Sequence, residues 1–150
     1  MQTKDAFPME ATSDLAQQSI IDAFAFFSDW QERYQYIIDL GHRLPDFPDK
    51  WKIEAHRLHG CQSMVWIVAS GDHKKVDISA VSDSAIVSGL IYLALKVYAG
   101  RSAQEILSTQ PKYLGAIGLQ SHLSMARNHG QAALLTAIQT FAQEKMLRVP

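Results

Sequence analysis

Residues 65–100 read VWIVASGDHKKVDISAVSDSAIVSGLIYLALKVYAG, two strand-like segments followed by a long apolar one. Apolar and β-branched residues dominate 62–70, and 76–80 alternates between apolar and polar positions, so both segments are predicted to be strands. The residues between them are polar and include Gly71, which is typical of a tight reversal of the chain. The two strands should therefore pair as an antiparallel hairpin.

A central helix is predicted directly after the hairpin. Residues 82–84, Ser-Asp-Ser, can cap its first turn, and 85–99 are so rich in Leu, Ile, Val and Ala that little polar face remains. Further helices are predicted over 103–108 and, after a loop through Pro111 and Gly118, from a cap at Ser124 onwards. Because the helix at 85–99 is apolar on almost every side, the other elements should pack around it.

The N-terminal part of the chain predicts more helices and one further strand. Residues 1–11 lack periodicity and are expected to be loosely ordered, and helix caps follow at Thr12 or Ser13 and again at Asp29. After a proline-containing connector, residues 53–59 are predicted to form a strand. The prediction is therefore a two-layer α+β fold, in which an antiparallel sheet of about three strands packs against helices.

The composition is that of a single domain over 1–150, with 47% hydrophobic and 19% charged residues. Fourteen basic and fifteen acidic residues give a net charge of −1 without any Lys/Arg run, so nucleic acid is not an expected partner. No apolar segment reaches the ~18 residues of a membrane span, and the N-terminus does not resemble a signal peptide. With one unpaired thiol, a cytoplasmic location is expected.

Cys61 is the only cysteine of the chain and follows Gly60 in a turn-like segment, so it cannot close an internal disulfide. A free cysteine has a pKa of about 8.5, and a nucleophilic role therefore needs a cationic or hydrogen-bonding neighbourhood. Gly60 permits an unusual backbone conformation beside the sulfur, which suits a thiol presented on a loop. The alternative is that Cys61 is a small buried hydrophobic residue.

A metal site is a second interpretation of the same region. His56, His59 and Cys61 are close in sequence, and Asp83 and His122 could be added from elsewhere. Structural zinc sites usually contain four ligands and are rich in cysteine, whereas this set contains one thiolate. In a strand over 53–59 the two histidines would also point to opposite faces, so no metal is the expected outcome.

A thiol hydrolase is a third interpretation. It would use Cys61 as nucleophile, His122 or His129 as base and Asp83 as the orienting group. The residue types are present, but a chain with six histidines offers such sets by chance. The spacing therefore does not favour a hydrolase over the other interpretations.

Four motifs in order resemble the SufE family, the sulfur-accepting partners of cysteine desulfurases, and together they extend over about residues 20–140. They are WQERYQYIIDLG at 30–41 with LP at 44–45, GCQS at 60–63 with VW at 65–66, SDSAIV at 82–87 with GL at 89–90, and Leu119 with HLS at 122–124, RN at 127–128 and Gly130. The chain departs from the family in having Met64 where Gln is common and Met125-Ala126 where Pro-Ser is common.

The resemblance implies a SufE/IscU-like fold and a sulfur carrier that is not a stand-alone enzyme. Cys61 would take persulfide sulfur from a pyridoxal-phosphate-dependent cysteine desulfurase of the Suf or Csd type, stimulate that enzyme, and pass the sulfur to an iron–sulfur cluster assembly scaffold. The pyridoxal phosphate would belong to the partner, so no cofactor is expected on this chain. The resemblance leaves monomer and homodimer both open.

The resemblance also leads to a hypothesis about the site. Asp83 and Arg127 would flank the cysteine loop, with Arg127 stabilising the thiolate or persulfide anion and Asp83 holding either Arg127 or the loop backbone. The local alternatives are that Asp83 caps a helix and that Arg127 is a solvated first-turn residue. The supporting residues would be Gly60, Gln62, Ser63 and His122.

Overall fold

A computed structural model describes residues 3–149 and has the predicted α+β architecture. Its strands are β1 (Val65–Asp72) and β2 (Lys75–Ser82), and two 3-10 turns lie at Asp49–Trp51 and Glu54–His56. Its helices are α1 (Ser13–Phe24), α2 (Trp30–Gly41), α3 (Ala85–Tyr98), α4 (Ala103–Ser108), α5 (Lys112–Ala116), α6 (Leu119–His122) and α7 (Met125–Leu147). The short helices α5 and α6 occupy a segment for which the sequence predicts a loop.

The antiparallel hairpin is confirmed. β1 and β2 pair from Val65 opposite Ser82 to Asp72 opposite Lys75, one residue against one. Alternate residues of each strand are buried on one side, as expected for a sheet with one face towards the core. They are Val65 and Ile67 in β1 and Val76, Ile78 and Ala80 in β2.

The third strand, predicted over 53–59, is wrong, because the described residues form a two-stranded sheet. Glu54–His56 turns as a 3-10 helix, and only Arg57 pairs with β1, in a single bridge to Trp66. The Arg57 guanidinium also lies 5.7 Å from the Trp66 ring centre. In an antiparallel pairing the ladder would continue with His56 opposite Ile67, but His56 belongs to the 3-10 turn, so the pairing ends at this single bridge.

Helix α3 is the centre of the fold, as predicted. Ser84 caps it by accepting a hydrogen bond from the Val87 N–H at 3.3 Å, and most of its residues are buried. Helix α2 crosses it closely where Gly89 faces Ile37, and α1, α7 and β2 cover its other sides. Within residues 3–149, no helix combines the length and apolar character that crossing a membrane requires.

The two N-terminal helices are separate, and their predicted caps are confirmed. Thr12 accepts from the Leu15 N–H at 3.1 Å and Asp29 accepts from the Glu32 N–H at 2.8 Å.

The segment before α1 has no regular secondary structure over its described residues, yet ion pairs connect it to the helices. Asp5 pairs with Arg43 at 2.8 Å and Glu10 pairs with Lys96 of α3 at 2.7 Å. Arg101 donates to the Glu10 carbonyl oxygen at 3.1 Å. These contacts hold the segment before α1 against α3.

Candidate functional site

Cys61 lies in the loop that enters β1, and this loop is pressed against α7. At Gly60 the backbone has φ of 96°, and a Cβ atom built there would lie 3.3 Å from the Cβ of Ala133. Glycine is therefore suited to this position in both conformation and space. The turn at Gly60 brings the next residue, Cys61, onto the first half of α7.

The thiol of Cys61 contacts the α7 backbone directly. Its Sγ lies 3.8 Å from the carbonyl oxygen of Gly130, a distance at which the S–H can donate weakly. A Cβ atom at Gly130 would lie 3.2 Å from this sulfur, tighter than nearly all real contacts. Gly130 thus allows a half-buried thiol to rest on the helix.

A cavity of about 60 Å³ adjoins the thiol between β1, α3 and α7. Most of its wall is aliphatic, and the side chains that can form strong hydrogen bonds come from the cysteine loop and from α7. The apolar lining residues are Leu58, Val65, Val87, Leu90, Ile91, Ala126 and Leu134, and the polar ones are Gln62, Ser63, Arg127 and Gln131, with Gly130 and Cys61 itself. The sulfur therefore borders a small, mainly apolar space.

Burial raises the pKa of the Cys61 thiol. In the conformation of the structure, the neutral thiol is therefore favoured at neutral pH.

We expect Cys61 to be alkylated slowly at neutral pH. The alkylation rate should increase with pH, and the pH at which it is half-maximal should lie above about 8.5, the pKa typical of a free cysteine. The sign follows from burial, which disfavours the charged form and so delays ionisation to higher pH. Iodoacetamide labelling across a pH series measures this midpoint, and Cys61 is the only thiol that can respond. In denaturant the midpoint should fall to the ordinary value, whereas equal midpoints in both conditions would contradict the prediction.

Asp83 holds the end of the cysteine loop. Its Oδ1 accepts from the Met64 N–H at 3.0 Å, and its own N–H donates to the Met64 carbonyl oxygen at 3.2 Å. The side chain is exposed, and α3 is capped by Ser84 instead. Asp83 was expected to bind either Arg127 or the backbone of the cysteine loop, and the structure contains the contact with the loop backbone. Among residues 3–149, no ion pair joins Asp83 to Arg127.

Arg127 lies in the first turn of α7, where its N–H donates to the capping Ser124 hydroxyl at 3.2 Å. The side chain is half-buried and lines the cavity together with Cys61. In the described part of the chain, no carboxylate lies within 4.0 Å of its guanidinium group. Arg127 therefore belongs to the cavity wall, and its guanidinium has no carboxylate partner among the described residues.

His122 is not brought to the thiol. Its Nδ1 lies 3.0 Å from the Gly118 carbonyl oxygen, and its ring centre lies 4.2 Å from that of Trp30. It lines a separate groove on the surface with residues of α2, among them Tyr34. Gln62 and Ser63, in contrast, both line the cavity beside Cys61.

The geometry does not favour the metal interpretation. His56 Nδ1 lies 2.7 Å from the Trp51 carbonyl oxygen, and His59 Nε2 lies 3.4 Å from Glu54 Oε1. Across residues 3–149, no three side chains of His, Cys, Asp or Glu are grouped closely enough to hold a metal ion.

The hydrolase interpretation requires a histidine beside the thiol. In the part of the chain that the structure describes, Cys61 makes its hydrogen bond to the Gly130 carbonyl oxygen and none to a histidine. His129 is exposed on α7 and His122 faces α2. The nucleophile and base of a hydrolase are therefore not assembled here.

Sequence reasoning missed the roles of two neighbouring residues of α7. Gly130 is part of a sequence motif, but a glycine inside a helical pattern does not show which group packs against it, here the Cys61 sulfur. Gln131 is buried in the wall of the cavity, and no local pattern distinguishes it from a solvated glutamine.

Gly130→Ala is expected to displace the Cys61 side chain, because the new methyl group would lie 3.2 Å from Sγ. The thiol should become more exposed and react with iodoacetamide several-fold faster at one fixed pH. Gly115→Ala is the matched control, since a Cβ atom there meets nothing within 4 Å. Equal labelling rates in the two variants would show that the thiol does not depend on this contact.

Comparisons with known proteins agree with one another. The model of the family described as "SufE: Fe-S metabolism associated domain" matches residues 18–142. An uncharacterized SufE-like protein of Rhizobium meliloti (strain 1021) is 36% identical over 132 residues, which cover 85% of this chain and 94% of the relative. A second such protein, of Rhizobium etli, is 35% identical over 129 residues, or 83% and 87% of the two chains.

A solved structure supports the fold independently. The solution structure of a hypothetical protein from Thermus thermophilus has a TM-score of 0.72 and covers 88% of this chain and 96% of its own. At 19% sequence identity this likeness shows the fold alone.

Proposed function

The chain belongs to the SufE family of Fe-S metabolism associated domains, and from this premise we propose that Cys61 accepts sulfur from a cysteine desulfurase and passes it to an iron–sulfur cluster assembly scaffold. One observation carries the proposal: the only thiol of the chain borders a cavity that is also lined by a half-buried arginine, for which residues 3–149 provide no carboxylate partner. A carrier needs one thiol and no second cysteine nearby, because a neighbour would discharge the persulfide into a disulfide.

The transfer is a thiol exchange. The Cys61 sulfur, as thiolate, attacks the terminal sulfur of the desulfurase persulfide, forming a new S–S bond as the donor S–S bond breaks. The donor cysteine leaves as a thiolate and takes up the proton that Cys61 released. One thiol and one persulfide are present before and after the step, so no external oxidant or reductant is consumed. The same exchange with a thiol of the scaffold would unload the carrier.

The cavity gives the transferred sulfur a sheltered position. A cavity needs a volume of about 10–15 Å³ to hold one water molecule. The cavity beside Cys61 has about 60 Å³, which leaves room for a second sulfur atom beyond Sγ. The aliphatic walls provided by Val87, Leu90 and Ile91 limit the access of small reductants. The persulfide would therefore be protected between loading and unloading.

Arg127 and Asp83 would have different roles. Arg127 would stabilise the anion on the sulfur through its guanidinium group, which can donate charge-assisted hydrogen bonds. Asp83 would fix the end of the loop through its two hydrogen bonds with Met64, so that Cys61 keeps its position against α7.

Loading requires the thiol to reach the partner, because Cys61 is half-buried at rest. The loop of 60–63 would move outward when the desulfurase docks, and the thiol would ionise more readily once it is no longer buried. Removing sulfur from the desulfurase would free its cysteine for the next turnover and thereby stimulate it. Pyridoxal phosphate would belong to the desulfurase, and the reducing cytoplasm suits a carrier with a lone thiol.

The direct test is to incubate the protein with a cysteine desulfurase and cysteine and to weigh the intact chain without reductant. The expected result is a gain of one sulfur atom, which peptide mapping assigns to Cys61 and which a thiol reductant removes. A chain whose mass stays unchanged while the desulfurase is active would refute the proposed function.

Arg127→Ala is expected to slow sulfur transfer by about tenfold or more, the usual effect of losing a hydrogen bond to a charged group. The fold should be retained, because the Arg127 side chain makes no ion pair in the described structure. The initial rate of mass gain measures the effect. Arg148→Ala, which removes an exposed arginine at the other end of α7, should transfer sulfur at the normal rate. Equal rates in both variants would remove Arg127 from the site.

A further inference from the structure

Gln131 is the most deeply buried polar side chain of the cysteine cavity. It is 5% exposed, whereas Gln62 is exposed and both Ser63 and Arg127 are half-buried. Its Nε2 lies 3.3 Å from the hydroxyl oxygen of Tyr113, and its buried Oε1 has no hydrogen-bond partner among residues 3–149. A buried polar atom without a partner is unusual in a native structure and indicates a ligand or a water.

The hydrogen bond with the Tyr113 hydroxyl determines which amide atom of Gln131, oxygen or nitrogen, remains available for another hydrogen bond. Burial raises the pKa of Tyr113, so its hydroxyl remains protonated and can donate. In the assigned amide orientation the hydroxyl only accepts, and its hydrogen has no acceptor among the described residues. The oxygen and nitrogen of an amide have nearly the same shape, and their assignment rests on the hydrogen bonds formed. Turning the amide lets Tyr113 donate to Oε1 and leaves Nε2 as a free donor.

The outer sulfur of a Cys61 persulfide, as the proposed function requires it, is a group that needs a hydrogen-bond donor such as Gln131 Nε2. A second sulfur on Cys61 would extend about 2 Å beyond Sγ, the length of an S–S bond. An anion there would be surrounded largely by aliphatic side chains and must be hydrogen-bonded to be stable. Gln131 also borders a second groove, which runs past Pro111 and Leu135 and is lined by no charged residue of the described chain. A neutral water is the occupant that this second groove would favour.

We propose that Gln131 binds the terminal sulfur of the Cys61 persulfide, acting as a hydrogen-bond donor from the buried wall of the cavity. The ligand class is a sulfane sulfur anion, and the inference rests on the proposed function. Tyr113 is a positioning residue, because its hydroxyl donates to Oε1 of Gln131 and thereby orients Nε2 towards the sulfur. Arg127 and Gln131 would then approach the sulfur from the first and second turns of α7, one with charge and one without.

The test compares how long the sulfur stays on the protein. The wild type, Gln131→Met and Tyr113→Phe are loaded with a desulfurase and cysteine, freed of the enzyme, and weighed at intervals in dilute dithiothreitol. Methionine has nearly the same size as glutamine and lacks the amide, so the cavity remains filled. Gln143→Met, at an exposed position of the same helix, is the matched control.

We expect Gln131→Met to lose its sulfur about tenfold faster than the wild type, as for the loss of one hydrogen bond to a charged group. Tyr113→Phe should give part of this effect, and the double variant should be no faster than Gln131→Met, because both changes act on one contact. Gln143→Met should behave as the wild type.

The outcomes separate the two proposals. A wild type that takes up sulfur and a folded Gln131→Met that loses it at the same rate would overturn the inference while leaving the proposed function intact, since the amide would then hold only water. If Gln131→Met does not fold, a Tyr113→Phe variant with the wild-type rate overturns the inference in the same way. A wild type that never takes up sulfur would overturn both.

Discussion

Cys61→Ser is expected to abolish sulfur uptake completely and, with it, stimulation of the desulfurase. No other cysteine exists to receive the sulfur. A serine hydroxyl is a poor nucleophile without an activating base, and the described structure has no histidine bonded to this position. Intact mass after incubation with a desulfurase and cysteine measures uptake, and alanine formation by the desulfurase measures stimulation.

The control for this variant must separate chemistry from folding. Serine is slightly smaller than cysteine and fits beside Gly130, so thermal unfolding and binding to the desulfurase should be retained. A second control adds Ser121→Cys to Cys61→Ser, which provides an exposed thiol away from the cavity. We expect this chain to remain inactive as a carrier. Sulfur uptake by Cys61→Ser itself would rule out Cys61 as the acceptor.

Gly89→Ala is expected to cause the largest loss of stability among the glycine variants considered. A Cβ atom at Gly89 would lie 2.0 Å from the Ile37 carbonyl oxygen and 2.4 Å from Ile37 Cγ2. The first of these atoms is backbone, so no side-chain rotation can relieve the clash and α2 must move away from α3. Overpacking of a core typically costs 1–3 kcal/mol, and we expect at least about 3 kcal/mol here.

Thermal unfolding followed by circular dichroism measures this effect. For a domain of this size, about 3 kcal/mol corresponds to a fall in the unfolding midpoint on the order of 10 °C. Gly115→Ala is the control, because that site is open and alanine favours a helix. A Gly89→Ala midpoint equal to that of Gly115→Ala would mean that the α2 and α3 crossing tolerates a methyl group.

The same substitution should also affect the site. Leu90 and Ile91, which follow Gly89 in α3, line the cysteine cavity. If α3 shifts to relieve the clash, these side chains shift with it, and a loaded persulfide should be lost faster. If the proposed function holds, this variant links the stability of the fold to the protection of the persulfide through one helix.

The elements that were predicted well carry their signals locally. The hairpin, α3 and the caps at Thr12, Asp29 and Ser124 depend on residue periodicity and on side chains within three positions of the atoms they bind. Such patterns can be recognised without knowing where the rest of the chain lies.

The elements that were predicted poorly depend on distant partners. Residues 53–59 have strand-like composition, but a 3-10 turn forms over 54–56, and only Arg57 makes a bridge to β1. The short helix α5 packs against α1 and against α6, and helices of five and four residues are too short to give a periodic pattern. His122 is the last residue of α6, and the position of this helix places its ring against Trp30 rather than beside the thiol.

The sequence by itself determined the family, the order of the main elements, the single sulfur-bearing position and the candidate residues around it. Only the tertiary structure decided which candidates meet. It brings Cys61 onto Gly130, 69 positions away, places Arg127 and Gln131 in the same cavity, and ties Asp83 to Met64. The physical reason is that periodicity and capping act within a few residues, whereas a cavity forms where separate elements pack, and the packing of α7 beside α3 is not encoded in any local pattern.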